Sequence, residues 1–235
     1  MFRYSRILSV LGEDGLKKIR DSSVLVTGAG GLGSAVIAYL AGCGVGKLGI
    51  ADGDVVELHN LDRQIIHSGN LGKNKAESAK EFVERLNPDV DVLTFGELNE
   101  ENGEHIIKNF DVIVSCVDSF AARFFLNDIC LKERKPLVHG AIAGFEGELM
   151  VFDFRKEEWP CYRCIYPGKY EEKEFPALPP VAGAVGCLQA IETIKLICNL
   201  EVKPELLRID FRYMEFVKLN VSKRKDCICS RKSGY

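Results

Sequence analysis

Residues 22–54 read SSVLVTGAGGLGSAVIAYLAGCGVGKLGIADGD, and this stretch decides the fold. Val24 to Thr27 is a short run of buried-strand residues, Gly33 to Ala41 is an apolar helix, and Leu48 to Asp52 is a second strand, which together make one βαβ unit. Gly28, Gly30 and Gly33 form a GxGxxG turn between strand and helix, where backbone N–H groups and the positive helix end can hold phosphate. Asp52 follows at the end of the second strand, where a carboxylate accepts hydrogen bonds from ribose hydroxyls. The glycines also suit a bare helix–strand turn, and the motif does not choose between NAD and ATP. Asp54, just beyond, can turn toward the same pocket or cap the next loop.

Outward from this unit the alternation continues. A polar helix over Lys75 to Leu86 stops at Asn87-Pro88, and Val90 to Phe95 reads as a strand. Asp111 to Cys116 is a strand, Ala121 to Lys132 a helix and Leu137 to Ala141 a strand. The fold class expected is α/β, a Rossmann-like, doubly wound and mostly parallel sheet. From Phe145 the pattern GELMVFDF alternates as an antiparallel extension, with a strand at Leu206 to Asp210 after a helix from Gly186 to Leu200. The chain is read as one domain over 1–235, with an N-terminal helical segment at 1–20, a mobile crossing loop at 157–185 and a cysteine-bearing tail at 222–235.

The chain has 235 residues, 46% of them hydrophobic, enough for a sizeable core. Its 31 basic against 34 acidic side chains give a formal charge of −3, which argues against a nucleic-acid or anionic-membrane surface. The N-terminus MFRYSRILSV lacks a signal-peptide core, and no uninterrupted apolar run of about 18 residues occurs, so a cytoplasmic protein is expected. Nine cysteines in that compartment point to metal ligands or reduced thiols rather than disulfides.

Two further groups carry chemistry. The block HNLDRQIIH, residues 59–67, followed by GKNKAES, places Asn60, Arg63, Gln64 and Lys75 on segments that can return to the glycine turn. Arg63 and Lys75 offer positive charge to phosphate oxygens, although such residues are also common on bare surfaces. Cys161 and Cys164 form CxxC, and Cys227 and Cys229 form CxC, a four-thiolate set suited to tetrahedral Zn²⁺. Two reactive thiol pairs without metal is the alternative. Cys187 stands where the last long helix is expected to start, and the four histidines show no ligand spacing and are read as structural.

The stretches RYSR, GAGGLGS, AGCGVGKLGIADGDVVELHNLDRQ, GKNKAESA, LNPDV, DVIVSCVDS, EGEL, PCYRC and GCLQAIETIK, in this order, resemble the ThiF/MoeB/HesA family of adenylyltransferases, bacterial relatives of ubiquitin-activating enzymes. The resemblance implies that Gly31 sits at the nucleotide phosphates, Asp52 binds ribose, Asn60 and Arg63 contact phosphates, Lys75 reaches the triphosphate and Asp118 holds Mg²⁺. It implies a homodimer in which Arg6 enters the neighbouring subunit's site, and a partner that is a small ubiquitin-like protein ending in Gly-Gly. Ser119 stands where Asn is common in the family, and CxC where a second CxxC is usual. Members that bind the carrier covalently place a cysteine in the crossing loop. Here the matching position falls near Glu172, which suggests adenylylation followed by release.

The chemistry is consistent with these groups. A C-terminal carboxylate with a pKa of about 3.5 is already ionised at neutral pH and needs no general base. Bringing it onto an anionic phosphate needs cations held in place. An NAD-dependent oxidoreductase fits the glycine turn equally well but leaves Arg63, Lys75 and the cysteine pairs without a role, and a non-catalytic binder of a ubiquitin-like protein is the other alternative.

Overall fold

In the computed structural model, which describes residues 2–168, 170, 171 and 175–230, the glycine turn lies at the centre of one eight-stranded sheet. Strands β1 (Ser23–Thr27), β2 (Lys47–Ala51), β3 (Asp91–Phe95), β4 (Val112–Ser115) and β5 (Leu137–Ala143) are parallel; β6 (Glu146–Phe152), β7 (Glu205–Asp210) and β8 (Glu215–Asn220) continue antiparallel. The spatial order is β3-β2-β1-β4-β5-β6-β7-β8, so the winding direction reverses between β1 and β4. In open α/β sheets that reversal opens a crevice at the carboxyl ends of the strands, where ligands bind.

Alternate residues of the central strands feed two cores. Val24, Val26, Leu48, Ile50, Val112 and Val114 face one side with α2 (Gly31–Cys43), α3 (Lys75–Leu86) and α7 (Pro179–Ile197). Leu25, Ile113, Met150 and Phe152 face the other with α4 (Gly103–Ile107), α5 (Phe120–Lys132) and α6 (Tyr162–Ile165). Strands buried on both faces read as continuous apolar runs, which is why β1 and β4 were legible. The N-terminal α1 (Ser5–Asp21) bends at Gly12, where φ is 67°. Tyr4 before it lies against Gly44, the left-handed cap of α2, and the buried Asn87 donates to both Tyr4 Oη and the Ala41 carbonyl.

Several expected boundaries change. Helix α7 begins at Pro179, seven residues before Gly186, because proline at the first helical positions costs no hydrogen bond. The expected crossing loop at 157–185 therefore contains α6 and the first turns of α7, and Cys187 is the ninth residue of the helix rather than its start. A helix-terminal activation of that thiol is thus ruled out, and burial pushes the Cys187 thiol up. Helix α7 is long and apolar enough to cross a membrane by length alone, but here it packs on α2 and β5 and buries Val181, Ala182, Val185, Ala190 and Leu196. Strand β8 was not expected from sequence; its six residues are all exposed, so burial imposes no alternation on it. Five-residue α4 is too short to show a helical period.

Candidate functional site

The crevice between β1 and β4 is built by close backbone approach. Gly28 has φ of 91°, and a Cβ there would meet the Cys116 carbonyl oxygen at 2.7 Å. A Cβ on Gly33 would stand 2.0 Å from the Gly28 carbonyl oxygen, so only glycine lets α2 rise directly off the turn. Gly30 caps the helix without a side chain and leaves the first N–H groups of α2 open toward the crevice. Gly33→Ala is expected to cost more than about 2 kcal/mol, because backbone cannot yield as a side chain can; thermal unfolding of the purified variant measures it.

Asp52 binds the turn itself. One carboxylate oxygen accepts from the Ala29 N–H at 2.7 Å and the other from the Asp54 N–H at 2.9 Å, with the residue half-buried at the end of β2. From the other side, fully buried His67 holds Ala29 through Nε2 (2.8 Å to the carbonyl) and Ser78 through Nδ1 (2.8 Å). It thereby fastens the glycine turn to α3. Nothing in the spacing of the histidines disclosed this role.

Burial pushes the His67 imidazole below its ordinary value, since a charge there would be desolvated. The unfolded chain therefore binds more protons than the folded one as pH falls. Stability from this group is complete above an ordinary histidine pKa of about 6.5 and declines as the pH drops below it. Denaturant titrations at pH 7.5 and 5.5 should show the loss, and His67→Gln should flatten the difference between them.

The residues 58–75 excursion returns to the turn as the sequence suggested. Arg63 lies over Gly31: a Cβ there would be 3.5 Å from its Cγ and 3.6 Å from its Cδ. The Arg63 guanidinium meanwhile holds the His59 carbonyl and Asp62. Asn60 is buried and shapes this segment by accepting from the Glu57 N–H at 2.9 Å. Gln64 is 4% exposed beside Gly30, and its Oε1 is buried with no hydrogen-bond partner among the described residues. Lys75, at the first turn of α3, is buried and its Nζ sits 2.8 Å from the Asp54 carboxylate, which is itself largely exposed. Asp54 lies beside Asp52 through its N–H, while its carboxylate pairs with the lysine.

Across the crevice, Asp118 is exposed on the connection leaving β4. Ser119 caps α5, its Oγ accepting from the Ala122 N–H at 3.2 Å, a role Asn also performs. Arg6 is not brought to this cluster. It is exposed on the first turn of α1, beside Tyr4 at the Gly44 end of α2, one helix length or about 20 Å from the glycine turn.

The four cysteines converge behind the sheet. Sγ of Cys161 and Cys227 are 3.4 Å apart, those of Cys164 and Cys229 3.5 Å, and all four sulfurs lie within 4.8 Å of one another. A disulfide needs about 2.05 Å, whereas thiolates on a tetrahedral zinc at about 2.3 Å stand roughly 3.8 Å apart. The CxC pair therefore reaches its partners as well as a second CxxC would. The Arg224 N–H donates to Cys164 Sγ at 3.4 Å, and such bonds strengthen when sulfur is anionic. The matching crossing-loop position at Glu172 lies outside the described residues.

Sheet order, switch-point crevice and glycine turn define a doubly wound nucleotide-type α/β domain with a cysteine cluster attached. The ThiF family model matches residues 4–230, and the chain belongs to the ThiF family. It is 39% identical over 242 residues to the adenylyltransferase and sulfurtransferase MOCS3 of Aedes aegypti, covering 97% of this chain and 55% of that protein. It is 40% identical over 237 residues to the SAMP-activating enzyme E1 of Haloferax volcanii, covering 96% of this chain and 87% of that one. The chain thus spans about half the length of the MOCS3-type relatives. Among solved structures, Escherichia coli MccB crystallised with ATP shares the fold at a TM-score of 0.85 and 22% identity, over 97% of this chain and 74% of that one.

Proposed function

We propose that this chain adenylylates the C-terminal glycine carboxylate of a small ubiquitin-like sulfur-carrier protein, using ATP and releasing pyrophosphate. The observation that carries the reading is the charge arrangement at the crevice. Arg63 lies over Gly31 at the N-terminus of α2, Lys75 at the first turn of α3 pairs with Asp54 beside the Asp52 that binds the turn, and Asp118 follows β4 on the opposite wall. A dinucleotide asks for one pyrophosphate site at the glycine turn, and a triphosphate asks for more cation than the turn supplies. The Nε2 of Gln64 stands beside Gly30, adding an amide donor at the same turn. The relatives named as an adenylyltransferase and as an E1 support the same reading.

In this reading, Gly28, Gly30, Gly31 and Gly33 present N–H groups to phosphate and Asp52 takes the ribose. Asn60, Gln64 and Ser119 shape the walls. Lys75 exchanges its Asp54 partner for phosphate oxygen when nucleotide enters. Arg63 stabilises charge on the phosphate under attack, and the incoming carboxylate, already ionised, needs no base. Asp118 would hold Mg²⁺, which would supply positive charge for the departing pyrophosphate. Arg6, exposed on the first turn of α1, is in this reading delivered to a second subunit in a homodimer. The cysteine cluster holds Zn²⁺ structurally, tying the tail to the segment leaving β6, and the adenylate is released to a separate sulfur donor in the cytoplasm.

Ligand-dependent melting tests the nucleotide choice. ATP with Mg²⁺ at a hundredfold excess over its Kd should stabilise the protein by about 2.7 kcal/mol, a rise of roughly 5–10 °C for a chain of this size. NAD should not shift it. Stabilisation by NAD and not ATP would return the chain to the oxidoreductase reading.

A further inference from the structure

Outside the crevice, the proposed chemistry leaves unused a buried ionisable pair, Glu148 with His139. Glu148, in the middle of β6, is 8% exposed, and its carboxylate is met from three elements. Oε1 lies 2.8 Å from His139 Nε2 on β5, Oε2 accepts from the Tyr166 hydroxyl at 2.6 Å, and Arg208 on β7 stands 3.4 Å away. Burial alone would raise the carboxyl, but the hydrogen bonds from His139 and Tyr166 outweigh it and hold Glu148 at about 2. Burial likewise pushes His139 down, against the pull of the Glu148 carboxylate it bonds.

Tyr166 is the residue that leaves α6, two positions after Cys164. Its ring meets Phe120 at 6.0 Å and Tyr170 at 5.6 Å, and Tyr170 stacks on Phe120 at 4.7 Å. Phe120 opens α5 immediately after Asp118 and Ser119. A continuous run of contacts therefore leads from the Glu148 carboxylate through Tyr166 and Phe120 to the wall of the crevice that carries Asp118.

We propose that Glu148 is a positioning residue whose bond to Tyr166 fixes the Tyr166–Tyr170–Phe120 stack beside Asp118, so that the carboxylate-bearing tail is aligned on the nucleotide. The inference rests on the adenylylation reading. A buried carboxylate satisfied by three donors is a rigid anchor; the same tyrosine hydroxyl facing an apolar side chain would leave the stack free to rotate. The stack reaches the crevice at the Asp118 wall, across from the glycine turn, Arg63 and Lys75 that hold the nucleotide in this reading, so the larger effect falls on the acyl partner and the smaller on ATP.

The test uses the full chain as Tyr166→Phe, Glu148→Gln and the double variant. The readouts are ATP–pyrophosphate exchange with a ubiquitin-like protein ending in Gly-Gly, zinc content, thermal midpoint and chymotryptic cleavage after Tyr170. Expected are a fivefold or greater rise in KM for the carrier with KM for ATP within twofold, faster cleavage after Tyr170, and a double variant no worse than the poorer single one. Unchanged carrier KM and unchanged cleavage overturn the proposal. So does equal loss for ATP and carrier together with a lowered midpoint or lost zinc, because that is the signature of a purely structural pair. If the unsubstituted chain supports no exchange, the adenylylation reading fails, and the cleavage rates still report whether the anchor holds the stack.

Discussion

Lys75→Ala is expected to retain its fold and lose at least about a hundredfold in ATP–pyrophosphate exchange, the loss found when one preorganised charge partner of a transition state is deleted. The fold should survive because Asp54, the partner left behind, has a side chain that is 75% exposed and returns to water at little cost. Arg63→Ala should behave alike, since its aliphatic stem lies over Gly31 while its guanidinium, among the described residues, bonds the neighbouring His59 carbonyl and Asp62. Asp118→Asn should instead raise the Mg²⁺ concentration needed for half-maximal rate. Circular dichroism and thermal midpoints establish the fold, and exchange rates the loss. Near-normal turnover in all three would remove the assignment of the crevice.

Cys161→Ser should have the largest effect on stability. The residue is fully buried with three other sulfurs within 4.8 Å, so the substitution removes one of four ligands and leaves the others as crowded buried thiols. Loss of about 3 kcal/mol or more is expected, or roughly 6–12 °C in Tm. Zinc should fall from one per chain to near zero by elemental analysis of freshly reduced protein. A strong chelator should lower the midpoint of the unsubstituted chain and leave that of the variant unchanged. A metal-free parent protein with the same midpoint as the variant would show that the cluster is four packed thiols.

The parallel half of the fold was legible because its information is local. Strands β1 and β4 are uninterrupted apolar runs, and the glycines of 28–33 are spaced by a steric need of the strand–turn–helix joint itself. Arg63 and Gln64 could be nominated for the same reason: they lie on a short excursion between β2 and α3 whose ends are both at the turn. Contacts between distant strands left no such mark. His139 and Glu148 meet only because β5 and β6 pair antiparallel in a particular register, and nothing in the residues around either one announces the other. The start of α7 was missed because apolar spacing is regular only from Gly186, while the first turns are carried by Pro179, Pro180 and small residues. The sequence offers Lys75 as a cation, but its pairing with Asp54 depends on the closure of the 54–75 excursion. The four-thiolate set nominated from CxxC and CxC does converge, although the path that brings the tail back to α6 left no mark in the spacing.

ATP–pyrophosphate exchange, measured with Mg²⁺ and with a small ubiquitin-like protein either intact or lacking its terminal Gly-Gly, tests the central claim most directly. It reports reversible formation of the acyl adenylate and needs no sulfur donor. Adenylylation of the glycine carboxylate predicts exchange with the intact tail and none with the truncated one. Exchange that is indifferent to the tail, or absent while ATP–Mg²⁺ binds and the carrier is captured, would contradict it and leave a nucleotide-binding partner protein in place of the enzyme.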